Sequence, residues 1–314
     1  MEDPGHSATE SRRLRAHQSL EGLSCGDAFG ERFFIRPKLA RSLIARRSVP
    51  APPWIFTDDT MMAISIVEIL EEHHEIRQDS LARSFATNYD SNRGYGPAMH
   101  NLLAEVRRRP SAWRKEAQAL FNGEGSFGNG SAMRVAPLGA YFADDPEMIP
   151  EQAALSAETT HCHSEAKAGA IAVALASAGA WRFRQSGRSP SSTEFLEWVA
   201  QRTPVSAVRK GIEKAALQRE GTSIEAAVAA LGNGKIVSCP DTVPFALWCA
   251  AHHLDSYEQA LWATVAGLGD RDTTCAIVGG IVVMYAGVES IPKEWLISRE
   301  PIPQHMLKWY RPTV

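Results

Sequence analysis

Apolar positions along the chain recur at helical spacing, and strand-like signals are scarce. The stretch SRRLRAHQSLEGLSCGDAFG carries Leu14, Leu20 and Leu23 on a helical spacing and ends in glycine. In DDTMMAISIVEILEEHHE, Met62, Ile66, Ile69 and Leu70 share one face. SEAKAGAIAVALASAGAWRF is a helix of small residues, suited to close packing. GIEKAALQREGTSIEAAVAAL reads as two short helices, the second capped by Thr222 or Ser223. PDTVPFALWCAAHH is another helix, with Pro244 near its first turn, and DTTCAIVGGIVVMYAG closes the set. No βαβ alternation, fixed-period repeat or linker-like break in composition interrupts the series. The pattern predicts an all-α, compact single domain over residues 9–314, larger than a four-helix bundle, behind a disordered tail of residues 1–8.

The bulk numbers narrow the function classes. A formal net charge of -3 and a pI near 6.4 argue against a general nucleic-acid surface. The arginine run EVRRRPSAWRK is expected to be a solvated helix face. Five cysteines, at 25, 162, 239, 249 and 275, form no C-x-x-C pair and no disulfide framework; most read as small core residues. The opening MEDPGHSATESRRLR has no apolar stretch of a secretory signal, and TTCAIVGGIVVMYAG is too short for an ordinary membrane span. A cytoplasmic, monomeric protein without a membrane partner is the expectation.

Candidate chemistry sits at two helix starts. FTDDT (56–60) sets Asp58 and Asp59 side by side between Thr57 and Thr60, directly before an apolar stripe. GDRDTTCAIVGG repeats that grammar with Asp270, Asp272 and Thr273. One carboxylate per helix start is explained by the dipole and the free N–H groups. Two carboxylates near an apolar interior repel each other and lose hydration. Two readings stand: ordinary caps, or oxygen ligands for hard divalent cations such as Mg²⁺, Mn²⁺ or Ca²⁺. If the two starts meet, Thr57, Asp58, Asp59, Asp270, Asp272 and Thr273 supply enough oxygens for two ions. A D-D-x-x-D diphosphate site is disfavoured by Met62 at its third acidic position, a His-Asp phosphohydrolase pair is absent, and DRDTTCAIVGGI fails as an EF-hand loop.

The glycine-rich FNGEGSFGNGSAMRVAPLGAYF relaxes the backbone at Gly123, Gly125, Gly128 and Gly130 and offers N–H groups that can hold phosphates. His161 and His163 in TTHCHSEAKAG precede a helix and read as capping and hydrogen-bonding residues, because no cysteine or histidine partners stand at zinc spacing.

Taken in order, GLSCGDAFG (22–30), FTDDT, RGYG (93–96), GNGSAMRVAPLG (128–139), THCH (160–163), DTVPFALW (241–248) and LGDRDTTCAIVGG (268–280) resemble the ADP-ribosylglycohydrolase family over nearly the whole domain. The resemblance implies an all-helical fold with two divalent cations, Mg²⁺ or Mn²⁺, held by Thr57, Asp58, Asp59, Asp270, Asp272 and Thr273. It implies an ADP-ribose cleft lined by Asn129, Gly130, Ser131 and Met133, with His163 nearby. The implied partner is an ADP-ribosylated protein or a small ADP-ribose conjugate. The implied reaction is hydrolysis of its glycosidic bond, with Asp59 or Asp272 orienting the water; the alternative is an ADP-ribose binder without turnover. The chain departs from the family pattern in places. Phe34 stands where serine-linkage hydrolases carry a glutamate, and Glu31 lies three residues earlier. Leu268 replaces a glycine, Arg271 a threonine and Ser164 a proline.

Overall fold

In the computed structural model, which describes residues 4–310, every regular element is helical. The helices are α1 (Pro4–Glu31), α2 (Pro37–Ala45), α3 (Asp58–His73), α4 (Gln78–Thr87), α5 (Pro97–Arg108), α6 (Trp113–Ala119), α7 (Ala136–Tyr141) and α8 (Ile149–Glu158). They continue as α9 (Ser164–Gln185), α10 (Ser192–Arg202), α11 (Ala207–Ala216), α12 (Ile224–Leu231), α13 (Cys239–His252), α14 (Tyr257–Ala266), α15 (Arg271–Ala286) and α16 (Lys293–Ser298). No strand occurs among the described residues, only isolated bridges at Trp54–Arg299 and Gly128–Ser238. The all-α expectation is met.

The centre of the fold is the antiparallel pair α1 and α15. They touch backbone to backbone because α1 presents glycine every fourth residue. A Cβ on Gly22 would lie 2.4 Å from the Gly279 carbonyl oxygen, one on Gly26 2.2 Å from that of Cys275, and one on Gly30 2.2 Å from that of Arg271. Residues four apart share a helix face, so only a glycine stripe permits this approach. The pairing delivers the end of α1 to the start of α15. The small-residue helix α9 is used in the same way: a Cβ on Gly139 of α7 would strike the Ala174 carbonyl oxygen.

Several sequence expectations hold at residue level. Met62, Ile66, Ile69 and Leu70 are buried, and the Ser223 hydroxyl accepts from the Ala226 amide to cap α12. Cys25, Cys239, Cys249 and Cys275 are buried free thiols. Three expectations need correction. Leu14 is exposed while Leu20 and Leu23 are buried, because six residues turn the helix far off the shared face. Pro244 lies inside α13, past its first turn, which starts at Cys239. Residues 4–8, assigned to the tail, form the first turns of α1, where Pro4 at the first helical position has no N–H to satisfy; residues 1–3 lie outside the described residues. No helix among the described residues is long and apolar enough to cross a membrane.

Candidate active site

Three helix ends converge where α1 meets α15: the last turns of α1, the start of α3 and the start of α15. Asp58 and Asp59 open α3 behind Thr57, and Asp270 stands at the N-terminal boundary of α15, ahead of Asp272 and Thr273. The acidic groups of the two starts feel one another: Asp58 is repelled by Asp270, and Asp59 by Asp58, Asp270 and, reciprocally, Asp272. The meeting of the two starts, assumed when only the sequence is read, is present.

A fifth carboxylate, Asp27, lies at the middle of the cluster and was not singled out from sequence. It is fully buried on α1. Its oxygens accept from the Thr57 amide at 2.9 Å, the Thr60 amide at 3.1 Å, the Thr57 hydroxyl at 2.9 Å and the Thr60 hydroxyl at 2.6 Å. Asp27 therefore caps α3 from another helix, at its positive end. Thr57 Oγ1 also lies 2.9 Å from Asp59 Oδ2. One hydroxyl proton cannot serve Asp27 and Asp59 together, so two ionised carboxylates leave one contact unmet. Asp59 Oδ1 has no hydrogen-bond partner and is buried. Oxygen-only donors, an orphaned carboxylate oxygen and an unshared proton suit a hard divalent cation. Among the described residues, no three Asp, Glu, His or Cys side chains enclose an ion by themselves.

Distant segments hold this geometry. The Phe56 amide donates to Glu300 Oε1 at 2.9 Å, and the Phe56 carbonyl accepts from Arg93 Nη1 at 2.8 Å. Arg93 also pairs with Glu300, and its own carbonyl accepts from the Asp58 amide at 2.7 Å. Asn129 Nδ2 donates to Asp270 Oδ2 at 2.7 Å and to Thr242 Oγ1 at 3.0 Å, tying the glycine loop to the acid centre. Leu268 sits at φ +62°, a left-handed conformation that a glycine adopts without strain. Arg271 turns away from the carboxylates beside it. Its Nε donates to the Leu268 carbonyl at 3.0 Å, its Nη1 to the Phe33 carbonyl, and its guanidinium lies 4.7 Å from the Phe34 ring centre.

The residues assigned to the ligand cleft divide. Gly130 lies in the loop and is partly exposed, and Met133 is buried with its Sδ 4.0 Å from Thr273 Oγ1. Asn129 faces the acid centre. The Ser131 hydroxyl is buried and donates to the Ala166 carbonyl at 2.9 Å. His163 caps α9 by accepting from the Glu165 amide at 3.1 Å and sets its ring edge against Phe127. His161 also underlies the loop: a Cβ on Gly130 would meet its ring at 2.8 Å. Phe121 and Phe127 belong to this loop and were not weighed from sequence. Both are exposed, with ring centres 6.2 Å apart, and they form an aromatic ledge on the glycine loop. Exposed aromatics inside a glycine loop were the available signal.

Burial raises the Asp27 carboxyl to about 6 and, with repulsion from Asp27 second, the Asp58 carboxyl to about 8. Burial, then neighbouring carboxylates, holds Asp59 and Asp272 well above their ordinary range. Burial, then Arg134, pushes His161 down to about 3. The two kinds of shift act in opposite directions. A carboxyl raised in the fold stabilises it fully below the unfolded value of 3.8, and that contribution is lost as pH rises through the folded value. A histidine lowered in the fold favours folding above 6.5 and loses that contribution as pH falls below it. From pH 6.5 to pH 8 the carboxyls therefore dominate, and stability falls as the buried acid centre is forced to ionise. Chelated protein is expected to melt lower at pH 8 than at pH 6.5, by on the order of a few degrees. Calorimetry that finds a flat or rising melting temperature refutes a buried, mutually repelling acid centre.

Comparison with known proteins agrees with this architecture. The family model described as ADP-ribosylglycohydrolase matches residues 8–307. ADP-ribosylhydrolase ARH3 of Bos taurus is 29% identical over 279 residues, spanning 78% of this chain and 74% of that protein. The protein of the same name from Xenopus tropicalis is 31% identical over 281 residues, spanning 78% and 77%. A solved structure described as an ADP-ribosylglycohydrolase-related protein complex superposes with a TM-score of 0.63 at 23% identity, over 93% of this chain and 94% of that one, and so shares the fold. A family model that runs from the first helix to the C-terminal segment leaves one assignment: the chain belongs to the ADP-ribosylglycohydrolase family.

Proposed function

We propose that this protein hydrolyses the glycosidic bond between ADP-ribose and a modified acceptor, at a centre that Thr57, Asp58, Asp59, Asp270, Asp272 and Thr273 build for two divalent cations, Mg²⁺ or Mn²⁺. The observation that carries the reading is Asp59 Oδ1, a carboxylate oxygen with no partner, buried among carboxylates that repel one another. Bound cations would offset that repulsion and grip the ribose hydroxyls beside the anomeric carbon. The hydroxyls of Thr57 and Thr273 complete the oxygen set.

The chain's own residues supply the rest. Asp27 holds Thr57 and the first turn of α3 in place. Asp59 or Asp272 orients the attacking water and accepts its proton. The water oxygen joins the anomeric carbon as the bond to the acceptor breaks, and a proton passes to the departing group. The glycine loop offers backbone N–H groups to the diphosphate, and Phe121 and Phe127 offer ring faces to the adenine. A binder without turnover is favoured by the family resemblance at one place, where Phe34 stands for the glutamate of the serine-linkage enzymes and Glu31 lies three residues earlier; Arg271 lies 4.7 Å from the Phe34 ring centre.

Release of free ADP-ribose from arginine-, serine- and guanine-linked substrates and from O-acetyl-ADP-ribose separates the readings, run with Mg²⁺, with Mn²⁺ and with EDTA. Release from one linkage that EDTA abolishes is the expected result. Binding of ADP-ribose without release from any of them overturns hydrolysis of these substrates.

A further inference from the structure

Between Glu31 and Asp58 the chain leaves the acid centre and returns to it. The departure is anchored by Arg271, which bonds the Phe33 carbonyl and covers the Phe34 ring. The return is Trp54 to Thr57, which leads into Asp58 and Asp59. The intervening flap runs from the end of α1 to the start of α3, the two helix ends that carry Asp27 and Asp58. Its composition is strongly basic. Residues 32–57 carry six cations and no aspartate or glutamate, in a protein of net charge -3.

Arg32, Arg36, Lys38, Arg41, Arg46 and Arg47 are all exposed. None of them forms an ion pair among the described residues, and Arg47 has only the neutral Gln259 amide oxygen, at 2.6 Å. Elsewhere arginines are commonly paired, as Arg12 and Arg15 are with Asp144, Arg93 and Arg299 with glutamates, and Arg209 with Glu213. On α2, Ala40 is buried and Leu43 and Ile44 pack onto the core, which leaves Lys38 and Arg41 on the outer face. The apolar side of α2 is thus already occupied by protein, so this is not a helix with a free apolar face for a lipid surface. Between the cations stand the exposed aliphatic side chains Ile35 and Leu39, and Val49 and Ile55, also exposed, follow them.

We propose that the flap is the docking surface for the acceptor protein, and that it selects a modified residue set in an acidic, aliphatic stretch of polypeptide. This inference deepens the functional reading by naming its substrate class. Unpaired cations attract carboxylates, and arginine holds them with a two-pronged fork. Aliphatic side chains between the cations match aliphatic residues between acids. A nucleic-acid strand fits less well, because bases stack on aromatic faces. Phe34 is the flap's one exposed aromatic side chain, with Arg271 4.7 Å from its ring centre, so the flap offers no series of ring faces to successive bases. The flap also counters the negative field of the nearby carboxylates, which would otherwise repel an acidic partner.

The test measures binding first, so that it does not depend on turnover. A fluorescent, unmodified 16-residue peptide of alternating Glu and Leu-Ser units is titrated with the full chain at low and high salt. A lysine-for-glutamate peptide and a twelve-nucleotide thymidine strand run beside it. The acidic peptide is expected to bind at least tenfold more tightly than either and to weaken about tenfold at high salt. R36E/K38E/R41E is expected to abolish that preference while its melting temperature and its affinity for ADP-ribose stay unchanged. Equal binding by that variant, or tighter binding of the thymidine strand, overturns the proposal. The second arm compares ADP-ribosylated peptides of one linkage with acidic or basic flanks. A lower KM for acidic flanks at unchanged kcat, lost in the variant, is expected; release of ADP-ribose with no flank preference refutes the docking surface and leaves the hydrolase standing. Salt-sensitive peptide binding without any release leaves the surface standing and removes the hydrolase.

Discussion

Replacing Asp59 with asparagine is expected to abolish ADP-ribose release and, in chelated protein, to raise stability. The two effects have one cause. Asp59 is buried, its carboxyl is held well above the ordinary range by burial and by Asp27, Asp58 and Asp270, and its Oδ1 has no partner. Asparagine keeps the shape and still accepts from the Thr57 hydroxyl, but it brings no charge to desolvate. The metal-free fold is expected to gain on the order of 1 kcal/mol, as when a strained functional group is relieved. Function moves the other way, because the amide neither draws a cation nor takes a proton from water. Release is expected to fall at least about 10³-fold, a loss common when one member of a catalytic set is removed. Melting curves in EDTA and initial rates in Mn²⁺ and Mg²⁺ check both halves. A variant that keeps activity within tenfold removes Asp59 from the centre. A variant that loses both activity and stability makes Asp59 a structural residue.

The helical architecture was legible because apolar spacing and caps act locally, within one or two turns. The two acidic starts were legible for the same reason: each is a short run in which carboxylates precede an apolar stripe. Asp27 was not. It stands alone in the interior of α1, and its role exists only where α1 meets α3. Glu300 and Arg93 are hidden likewise, 207 residues apart and joined at the Phe56 backbone. Asn129 was singled out for the ligand cleft, yet its amide bonds Asp270 across 141 residues. Arg271 illustrates the other limit. Sequence places a cation between two carboxylates, but helical geometry projects its side chain toward Phe33 and Phe34. One long-range signal was available and not used. Glycine at 22, 26 and 30 marks a face that accepts another backbone, and Asp27 follows the middle glycine.

That glycine face yields the largest expected effect on the fold itself. The Cβ of Gly26→Ala would stand 2.2 Å from the Cys275 carbonyl oxygen and 2.9 Å from its carbon. No rotamer relieves the overlap, because both partners are backbone inside long helices. The pair must separate along its length or tilt, and either motion opens gaps beside Leu20, Leu23 and Ile277, which are fully buried. Overpacking in a well-filled core costs about 1–3 kcal/mol when side chains can yield. Here nothing soft is available, and the expected loss is at least about 3 kcal/mol, or roughly 6 °C or more in melting temperature. Alanine is otherwise the better helix former by about 1 kcal/mol, so the sign of the change isolates the contact. Gly96→Ala is the control, since no atom lies within 4 Å of its added Cβ, and it is expected to cost no more than about 1 kcal/mol. The same displacement carries Asp272 away from Asp59 at the end of the helix pair, so activity lost at temperatures where the variant remains folded is also expected. Denaturant titration of both variants decides it: a Gly26→Ala protein as stable as the parent means that α1 and α15 do not touch at this face, and the meeting of the acidic helix starts loses its structural basis.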